Sequence, residues 1–341
     1  MTPPLAIAVD GGNSKTDLAL VRADGDVLAL ARGPLGSPHH IGVEGCVLVL
    51  GTLLDQALGE TGLPGDAAGP VADLAELLVA GVDFPAEEHA LEEAVAARGW
   101  AGDVHVGNDT FAVLRAGTER GWGVAVVCGA GINCVGVDPH GRHARFPALG
   151  AISGDWGGGY DVGLAAVAAA ARSEDGRGPH TSLERTVPAH FGLDTPGELS
   201  EAIHRGRIPI RRVLELPPMV FAEAVADPVA AEIVDRVAAE IAALARAALR
   251  RLELDRQPVE VLLGGGLLRA GDGRVLAGVE AELRDAAPEA TVRTTTSAPI
   301  VGAALLALDR LGAGVEAQRR VRRELGAAVE RTEVREYAEA D

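Results

Sequence analysis

Short apolar runs separated by turn residues make up the start of the chain. Leu5–Val9 and Leu18–Val21 flank the polar stretch DGGNSKTD, and a third apolar run, Val27–Leu30, follows the turn ADGD. Runs this short, bounded by Gly, Asp and Asn, are typical of β-strands joined by tight turns. The pattern therefore predicts a three-stranded meander with a glycine-rich turn between its first two strands.

The same pattern returns in the middle of the chain. Val124–Cys128 and Cys134–Val137 flank the turn GAGIN, and the segment RHARF follows a second turn, DPHG. Helix-forming and strand-forming segments come after each copy, which indicates two similar α/β domains. We expect the two glycine turns to meet across a cleft, although two unrelated meanders would leave the same pattern. Cys128 and Cys134 beside the second turn are expected to be packed apolar residues.

The first glycine turn has the composition of a phosphate-binding loop. Gly11 and Gly12 permit close backbone approach, and Asn13 tolerates a left-handed conformation. A P-loop needs Gly before its Lys and a helix after it, whereas Ser14 precedes Lys15 and a strand follows. Two interpretations remain: a hairpin whose backbone N–H groups bind phosphate, or an ordinary hairpin with a polar tip. Lys15 is the only lysine in the chain, and a compact cation suits phosphate.

Three other segments place polar residues or glycines where predicted elements end. Asp109 lies between the strand DVHVGND and the helix TFAVLRAG, where a carboxylate is either an N-cap or a catalytic base. Asp155 precedes a glycine run that is either a ligand-binding backbone or a flexible loop. Gly264–Gly266 form a third glycine turn after the strand VEVLL.

Composition restricts the class of protein. The 341 residues suit two domains, and 48% apolar with 23% charged residues is ordinary for a soluble globular chain. A run of about 18 apolar residues is lacking, so no membrane span is expected. The N-terminal segment lacks the basic region of a secretory signal, and three cysteines without framework spacing fit a reducing cytoplasm. A net charge of −18 argues against a duplex nucleic acid partner.

Six segments resemble the BadF/BadG/BcrA/BcrD ATPase family, which contains N-acetylglucosamine kinases and lies within the actin/hexokinase-like ATPase superfamily. In chain order they are DGGNSKT, GNDTFAVLRAG, GAGIN, GDWGGG, LLGGGLL and PIVGAALLA. The resemblance implies an α/β fold of duplicated ribonuclease H-like (actin-like ATPase) domains with mixed sheets around a nucleotide cleft. The expected domains are residues 1–117 and 118–313, hinged near 115–122, with a charged helical tail, 314–341, on the surface. The sequence does not decide whether the helix near 299–311 packs back against the first domain.

The resemblance also implies a role for each polar segment. Asp10 would hold Mg²⁺ through water, Asp109 would accept the proton of a sugar hydroxyl, and Asp155 would hydrogen-bond sugar hydroxyls. The other expected contacts are with the β- and γ-phosphates of ATP (Gly11, Gly12, Asn13, Ser14, Lys15, Thr16), a second phosphate site (Gly129, Ala130, Gly131), adenosine (Gly264, Gly265, Gly266) and the sugar (Asn108, Ser37, His39).

The implied activity is transfer of the γ-phosphoryl group of ATP to the 6-hydroxyl of an amino sugar, N-acetylglucosamine first and glucosamine second. Trp156 stands where the family pattern has a carboxylate, Ala130 replaces a hydroxyl residue, and SPHH only loosely matches the family's Asn-His segment. These departures keep open a non-catalytic ATP-binding regulator or ATPase of the same fold. The expected partner is a small sugar in the cytoplasm, without nucleic acid or membrane, and a homodimer is left open.

Overall fold

The computed structural model describes residues 2–63, 69–268 and 273–340. The elements in chain order are β1 (Leu5–Gly11), β2 (Lys15–Arg22), β3 (Val27–Pro34), α1 (Pro38–Thr61), β4 (Ala72–Val79), α2 (Pro85–Ala96), β5 (Ala101–Gly107), α3 (Thr110–Gly117), β6 (Gly123–Cys128), β7 (Ile132–Val137), β8 (His143–Arg145), α4 (Gly159–Glu174), α5 (Leu183–His190), α6 (Pro196–His204), α7 (Pro217–Glu223), α8 (Pro228–Arg251), β9 (Val259–Gly264), α9 (Gly273–Leu283), β10 (Ala290–Thr294), α10 (Pro299–Arg310) and α11 (Val315–Ala340).

The chain forms two compact units. The first contains Met1–Trp122 and Thr296–Asp341, and the second contains Gly123–Thr295. Each unit holds one mixed five-stranded sheet, so the predicted fold class is confirmed. Residues 64–68 and 269–272 and the two terminal residues, which fall within the predicted domains and tail, lie outside the described residues.

The sheet of the first unit has the strand order β3-β2-β1-β4-β5. β1, β2 and β3 form the predicted antiparallel meander, while β4 and β5 run parallel to β1. β1, β3, β4 and β5 therefore point the same way, and their carboxyl ends share one edge of the sheet. In parallel arrangements of this kind, ligands bind beyond the carboxyl ends of the strands.

The second unit repeats this topology. Its order is β10-β9-β6-β7-β8, with β6 to β8 antiparallel and β9 and β10 parallel to β6. β6 therefore corresponds to β1, and β9 corresponds to β4. The duplication predicted from the two meanders is present in the strand order itself.

The alternation along β1 explains how the first unit is layered. Leu5, Ile7 and Val9 point to the side covered by α1 and α2, whereas Ala6 and Ala8 point to the side covered by α10 and α11. Successive side chains of a strand face opposite sides, so one strand supplies two cores. Its alanines allow the second layer of helices to approach the sheet closely.

The division into units differs from the predicted boundaries at 117/118 and 313/314. The first segment of the first unit ends at Trp122, the last residue of the predicted hinge segment, and its second segment begins at Thr296. α10 returns to it and packs so closely on α3 that a Cβ added at Gly302 would lie 1.8 Å from the carbonyl oxygen of Ala112. The return that the sequence left open is therefore present.

The tail is also part of the first unit rather than a purely surface helix. Val321 and Leu325 of α11 are fully buried in the same core as α10. Arg322 donates hydrogen bonds to the carbonyl oxygens of Ala116 and Thr118, both at 2.6 Å, and so caps the end of α3. The expectation of a surface location is wrong for this face, because apolar residues recur every four positions beneath the charged ones.

Helix α1 satisfies the length and composition of a membrane span. Core helices of globular proteins meet the same criterion, and one face of α1, including Leu50 and Leu54, is buried against the sheet. The helix kinks at Gly42, whose φ of 71° is outside the helical region.

Candidate functional site

The first glycine turn joins β1 to β2 at the edge where the parallel strands end. The backbone N–H of Gly12 donates to the carbonyl oxygen of Lys15 at 2.9 Å and closes the turn. Asn13 and Ser14 form its exposed tip, and within the described part of the chain their backbone N–H groups have no partner. Two adjacent free donors of this kind are suited to bind an oxyanion.

Close packing around this turn explains its glycines. A Cβ at Gly12 would lie 2.9 Å from the carbonyl oxygen of Lys15, and one at Gly11 would lie 3.0 Å from Val79. Thr16 is fully buried, and its hydroxyl has no hydrogen-bond partner among the described residues. That hydroxyl lies against Gly36, whose backbone N–H donates to the carbonyl oxygen of Gly12 at 3.3 Å, so it lies beside the base of the turn.

Charged side chains surround the base of the turn. Asp17 is buried and accepts two hydrogen bonds from Arg32, at 2.6 and 2.9 Å. The ammonium of Lys15 lies 4.0 Å from the Asp17 carboxylate and 3.3 Å from the carboxylate of Glu333 on α11. The tail thus reaches the turn, which the sequence did not suggest.

Asp10 precedes the turn and pairs in register with Asp17 across β1 and β2. Burial raises its pKa well above the usual value, and the nearby carboxylates of Asp17 and Asp109 raise it further, against the opposing charges of Lys15 and Arg32. Because these two carboxylates disfavour the charged form of Asp10, a cation bound there would stabilise it.

Mg²⁺ fits this carboxylate set. The described residues contain no group of three or more His, Cys, Asp or Glu side chains able to hold a metal alone. Mg²⁺ bound with nucleotides needs only one or two carboxylates, because water and phosphate oxygens complete its coordination. Asp10 would hold it, and this role stays a prediction.

Asp109 stands at the first position before α3, where the sequence left an N-cap and a catalytic base as alternatives. Its side chain makes no capping hydrogen bond. The cap is supplied by Asn108, whose Oδ1 accepts from the backbone N–H of Thr110 at 3.0 Å and from its hydroxyl at 2.6 Å. Asp109 therefore holds the N-cap position, but Asn108 makes the capping hydrogen bond, and the role of Asp109 as a base stays a prediction.

The side chain of Asn108 is buried, and its amide group makes hydrogen bonds inside the protein. Its Nδ2 donates to Asp83 Oδ1 at 2.9 Å and to the carbonyl oxygen of Val82 at 3.3 Å. Both ends of the amide are thus occupied inside the protein, and the residue ties the loop after β4 to the loop after β5. This geometry assigns Asn108 to positioning its neighbours.

The pKa of Asp109 is raised from its usual value of 3.8 to about 7. Burial is the largest cause, the charge of Asp83 adds to it, and the nearby backbone N–H groups of Thr110 and Asp109 oppose it. A carboxylate whose pKa lies near neutrality is suited to take up and release a proton.

The predicted sugar loop lies at the same edge of the sheet. Ser37 is fully buried and donates to the carbonyl oxygen of Ala80 at 2.8 Å, so its hydroxyl is used internally. His39 is exposed and lies against Gly81, where an added Cβ would be 2.7 Å from the His39 Cβ. Hydrogen bonds and packing contacts therefore join the loops after β3, β4 and β5 into one surface. His39, Asp83 and Asp109 lie on this surface.

The second glycine turn, in the other unit, is also closed by a backbone hydrogen bond from a glycine, but it is one residue shorter. Gly129 N–H donates to the Gly131 carbonyl oxygen at 2.9 Å, and the backbone N–H groups of Ala130 and Gly131 lack a partner within residues 69–268. Both residues are exposed. The turn therefore offers two backbone donors, as the first one does.

The glycine run after Asp155 packs against that turn. A Cβ at Gly158 would lie 2.3 Å from the Cα of Gly131, and Gly159 N–H donates to the Gly129 carbonyl oxygen at 2.9 Å. A flexible loop does not describe this segment, because its glycines allow α4 to pack against the second turn, and its role in ligand binding stays a prediction.

Gly264–Gly266, the third glycine turn, adjoins the second one. Gly265 has φ of 98°, and a Cβ there would lie 2.2 Å from the carbonyl oxygen of Cys128. Gly266 is exposed with open space around it. Cys128 and Cys134 are buried, which raises the pKa of both thiols, so the expectation of packed apolar residues is confirmed.

Asp155 is partly buried, and its carboxylate accepts a hydrogen bond from Ser153. Trp156, which replaces the expected carboxylate, lies under the guanidinium of Arg236, 3.9 Å from the ring centroid. A cation–π contact therefore occupies this position in place of a carboxylate.

Sequence reasoning missed Asp17, Arg32 and Asp83. Asp17 and Arg32 are register partners on β2 and β3, a signal that appears only once the strands are paired. Asp83 follows a strand end, as Asp109 does, and that position could have marked it.

Known proteins resemble this chain over most of its length. The model of the BadF/BadG/BcrA/BcrD ATPase family matches residues 7–307. An N-acetylmuramic acid/N-acetylglucosamine kinase from Clostridium acetobutylicum is 29% identical over 264 residues, 77% of this chain and 85% of its own. An N-acetyl-D-glucosamine kinase from Dictyostelium discoideum is 26% identical over 318 residues, 91% of this chain and 99% of its own.

Solved structures share the fold. A candidate N-acetylglucosamine kinase from Chromobacterium violaceum is 25% identical with a TM-score of 0.70, over 89% of this chain and 99% of that chain. A ROK family glucokinase from Streptomyces griseus, 17% identical, has a TM-score of 0.52 over 89% of this chain and 98% of that chain. The family expected from the six sequence segments is thereby confirmed.

Proposed function

The chain belongs to the BadF/BadG/BcrA/BcrD ATPase family, and from that premise we propose that it is an ATP-dependent amino sugar kinase. The proposed reaction transfers the γ-phosphoryl group of ATP to the 6-hydroxyl of N-acetylglucosamine, with glucosamine as the second substrate. The names of both curated relatives, kinases of N-acetylglucosamine, support this substrate class.

The state of Asp109 is the observation that carries the proposal. Its carboxylate has no capping bond, lies at the strand-end edge and has a pKa raised to about 7. A primary hydroxyl is a weak nucleophile at neutral pH, so a positioned base contributes roughly 10²- to 10⁴-fold to the rate. A protein that only bound ATP would not need this carboxylate. We assign Asp109 as the group that accepts the hydroxyl proton as the oxygen attacks phosphorus.

The first glycine turn is assigned to the phosphates of ATP. The free N–H groups of Asn13 and Ser14 would donate to phosphate oxygens, and the ammonium of Lys15 would supply a positive charge. Mg²⁺, when bound, neutralises charge on the transferring phosphoryl group. Asp10 would hold it through water, while Arg32 donates hydrogen bonds to Asp17 beside it.

The remaining assignments follow from position. Asn108 holds Asp83 and the start of α3, so it orients the edge on which Asp109 stands. His39 and Asp83 are the side chains on that edge assigned to the sugar, with Asp155 in the second unit retained from the family resemblance. In the same unit, Ala130 and Gly131 are assigned to phosphate and the turn at 264–266 to adenosine.

A sugar panel tests the proposal. ADP release and sugar phosphate formation would be followed with N-acetylglucosamine, glucosamine, N-acetylmuramic acid and glucose, for the wild type and for Asp109→Asn. We expect the highest turnover with N-acetylglucosamine and phosphate on its 6-position by ³¹P NMR. If ATP binds but no sugar raises ADP release above background, the protein is an ATP-binding regulator of this fold instead.

A further inference from the structure

Helix α11 runs along the outer edge of the first sheet. Near its start, a Cβ at Gly25, in the turn before β3, would lie 2.6 Å from the Ala317 carbonyl oxygen. Near its end, Glu333 contacts Lys15, which pairs in register with Pro34 at the end of β3. Residues 320–333 of a helix span roughly 20 Å, about the length of an eight-residue strand such as β3. The two elements are therefore side by side over the whole strand.

A groove opens between them, which we call the arginine groove. Its cavity volume is about 500 Å³, and it is lined by residues 27–30 of β3 and by one face of α11 that carries Arg323, Arg331 and Arg335. That volume is within the range of about 300–1,000 Å³ for small-molecule sites. No assigned residue of the kinase site lines it.

The charge of this groove is opposite to that of the chain. Among the lining residues that the structure describes, the three arginines face a single acidic one, Glu324, in a protein of net charge −18. The carboxylate of Glu324 lies 2.9 Å from the guanidinium of Arg320, which is outside the groove. Its distance from the guanidinium of Arg323, inside the groove, is longer, at 3.5 Å. Within the described residues, Arg331 and Arg335 have no hydrogen bond or ion pair, although they lie one helical turn apart, where like charges repel.

The strand side of the groove also offers unused polar groups. β3 is the last strand of its sheet and bonds only to β2, so alternate N–H and C=O groups face away from β2. Ala327 and Ala328 leave room opposite them on the helix. An occupant with both an anionic group and hydroxyl groups would satisfy the arginines at one end and the strand edge at the other.

We propose that the arginine groove is a second ligand site, which binds a small phosphate monoester with hydroxyl groups, of the sugar phosphate type. Two guanidinium groups match the three terminal oxygens of a phosphate through forked N–H donors. The phosphate alone is too small for the cavity, so the hydroxylated part of the ligand fills the rest. The assignment goes beyond the proposed kinase reaction and does not depend on it.

Calorimetric titration of the full chain tests the site, with glucose 6-phosphate, glucosamine 6-phosphate and 3-phosphoglycerate as probes and glucose and inorganic phosphate as comparisons. We expect at least one ester to bind one-to-one with Kd below about 1 mM, more tightly than inorganic phosphate, while glucose does not bind. The double variant Arg331→Gln/Arg335→Gln should weaken that binding at least about tenfold, which corresponds to about 1.4 kcal/mol.

Two matched variants make the result specific. Arg319→Gln removes an exposed arginine of the same helix that pairs with Glu316 and does not line the groove, so binding should be unchanged. Lys15→Gln removes the cation of the phosphate turn and should also leave it unchanged. Because these side chains are exposed, all variants should keep the thermal unfolding midpoint of the wild type.

Several results would overturn the assignment. The first is that no ester binds with a Kd below about 10 mM. The second is that an ester binds the double variant as tightly as the wild type. The third is that Lys15→Gln loses binding, which would place the phosphate at the first turn. A hexaglutamate peptide that binds more tightly than the esters, and loses binding in the double variant, would assign the groove to an acidic protein partner instead. None of these results depends on kinase activity.

Discussion

The two glycine hairpins have nearly the same backbone and very different surroundings. In each, one glycine N–H closes the turn at 2.9 Å: Gly12 donates to the carbonyl oxygen of Lys15, and Gly129 donates to that of Gly131, so the second turn is one residue shorter. In each, two exposed residues at the tip carry free backbone donors. The hairpins are thus equivalent as backbone sites for an oxyanion.

Their side chains are not equivalent. Counted outward from the closing bond by strand register, Asp10, Lys15 and Asp17 of the first hairpin correspond to Val127, Gly131 and Asn133 of the second. The second hairpin therefore has uncharged residues at the three positions where the first has its charges.

The difference separates two tasks. Binding phosphate requires oriented N–H groups, which any suitable glycine turn supplies, whereas holding a metal and moving a proton requires carboxylates. We therefore expect substitutions in the first unit to affect the chemical step, and substitutions in the second to affect nucleotide binding and stability.

The largest expected effect is that of Asp109→Asn in the first unit. The amide keeps the shape but cannot accept the proton, so kcat should fall at least about 10²-fold. Calorimetry should find unchanged ATP affinity, because Lys15 and the turn are untouched. Activity within a few-fold of the wild type would remove Asp109 from the mechanism.

Gly158→Ala should affect the second unit in a different way. The new Cβ would lie 2.3 Å from the Cα of Gly131, so the backbone must shift, at a cost of about 1–3 kcal/mol of unfolding free energy. ATP binding should weaken more than the chemical step. Gly129→Ala is the control, because its Cβ meets nothing within 4 Å. Equal stability of both variants would contradict the packing described.

The pH dependence of stability gives a smaller effect. Because the pKa of Asp109 is raised from 3.8 to about 7, the folded state binds its proton more tightly than the unfolded state. The resulting stabilisation is complete below about pH 4 and is lost as the pH rises through 7. As the pH rises from 5 to 8, the unfolding free energy of Asp109→Asn should therefore increase by on the order of 1–2 kcal/mol relative to that of the wild type. This figure is already reduced for the partial exposure of Asp109. Urea unfolding of metal-free protein measures it, and a pH-independent difference would contradict it.

The smallest expected effect concerns α11. Glu333 pairs with Lys15 at 3.3 Å and competes with phosphate for its charge. A half-exposed ion pair contributes about 0.2–1 kcal/mol, so Glu333→Gln should tighten ATP binding by up to about fivefold. Glu330→Gln, on an exposed position of the same helix, should change nothing. Weaker ATP binding in Glu333→Gln would show that this carboxylate does not oppose the nucleotide.

Much of this arrangement could be predicted from the sequence. Strand periodicity and turn residues identified both meanders, and the strand-to-helix junction identified Asp109. The junction could not show that Asn108 supplies the cap and Asp109 does not, because both residue types cap helices well.

Other features depend on contacts distant in sequence. The pairing of Asp17 with Arg32 needs the strand register, and the return of α10 to the first unit needs tertiary packing. The buried stripe of α11, including Val321 and Leu325, was readable from its spacing, but its many charges obscured it. No local pattern indicated that the glycines after Asp155 support the second turn.

The pH dependence of single-turnover phosphoryl transfer to N-acetylglucosamine tests the central claim most directly. With Asp109 as the base, the wild-type rate should rise tenfold per pH unit below about pH 7 and level off above it, since only the ionised carboxylate accepts the proton. Asp109→Asn should be slower at every pH and should lose this rise. A wild-type rate that is flat between pH 5 and pH 9, or a rise that persists in Asp109→Asn, would contradict the account.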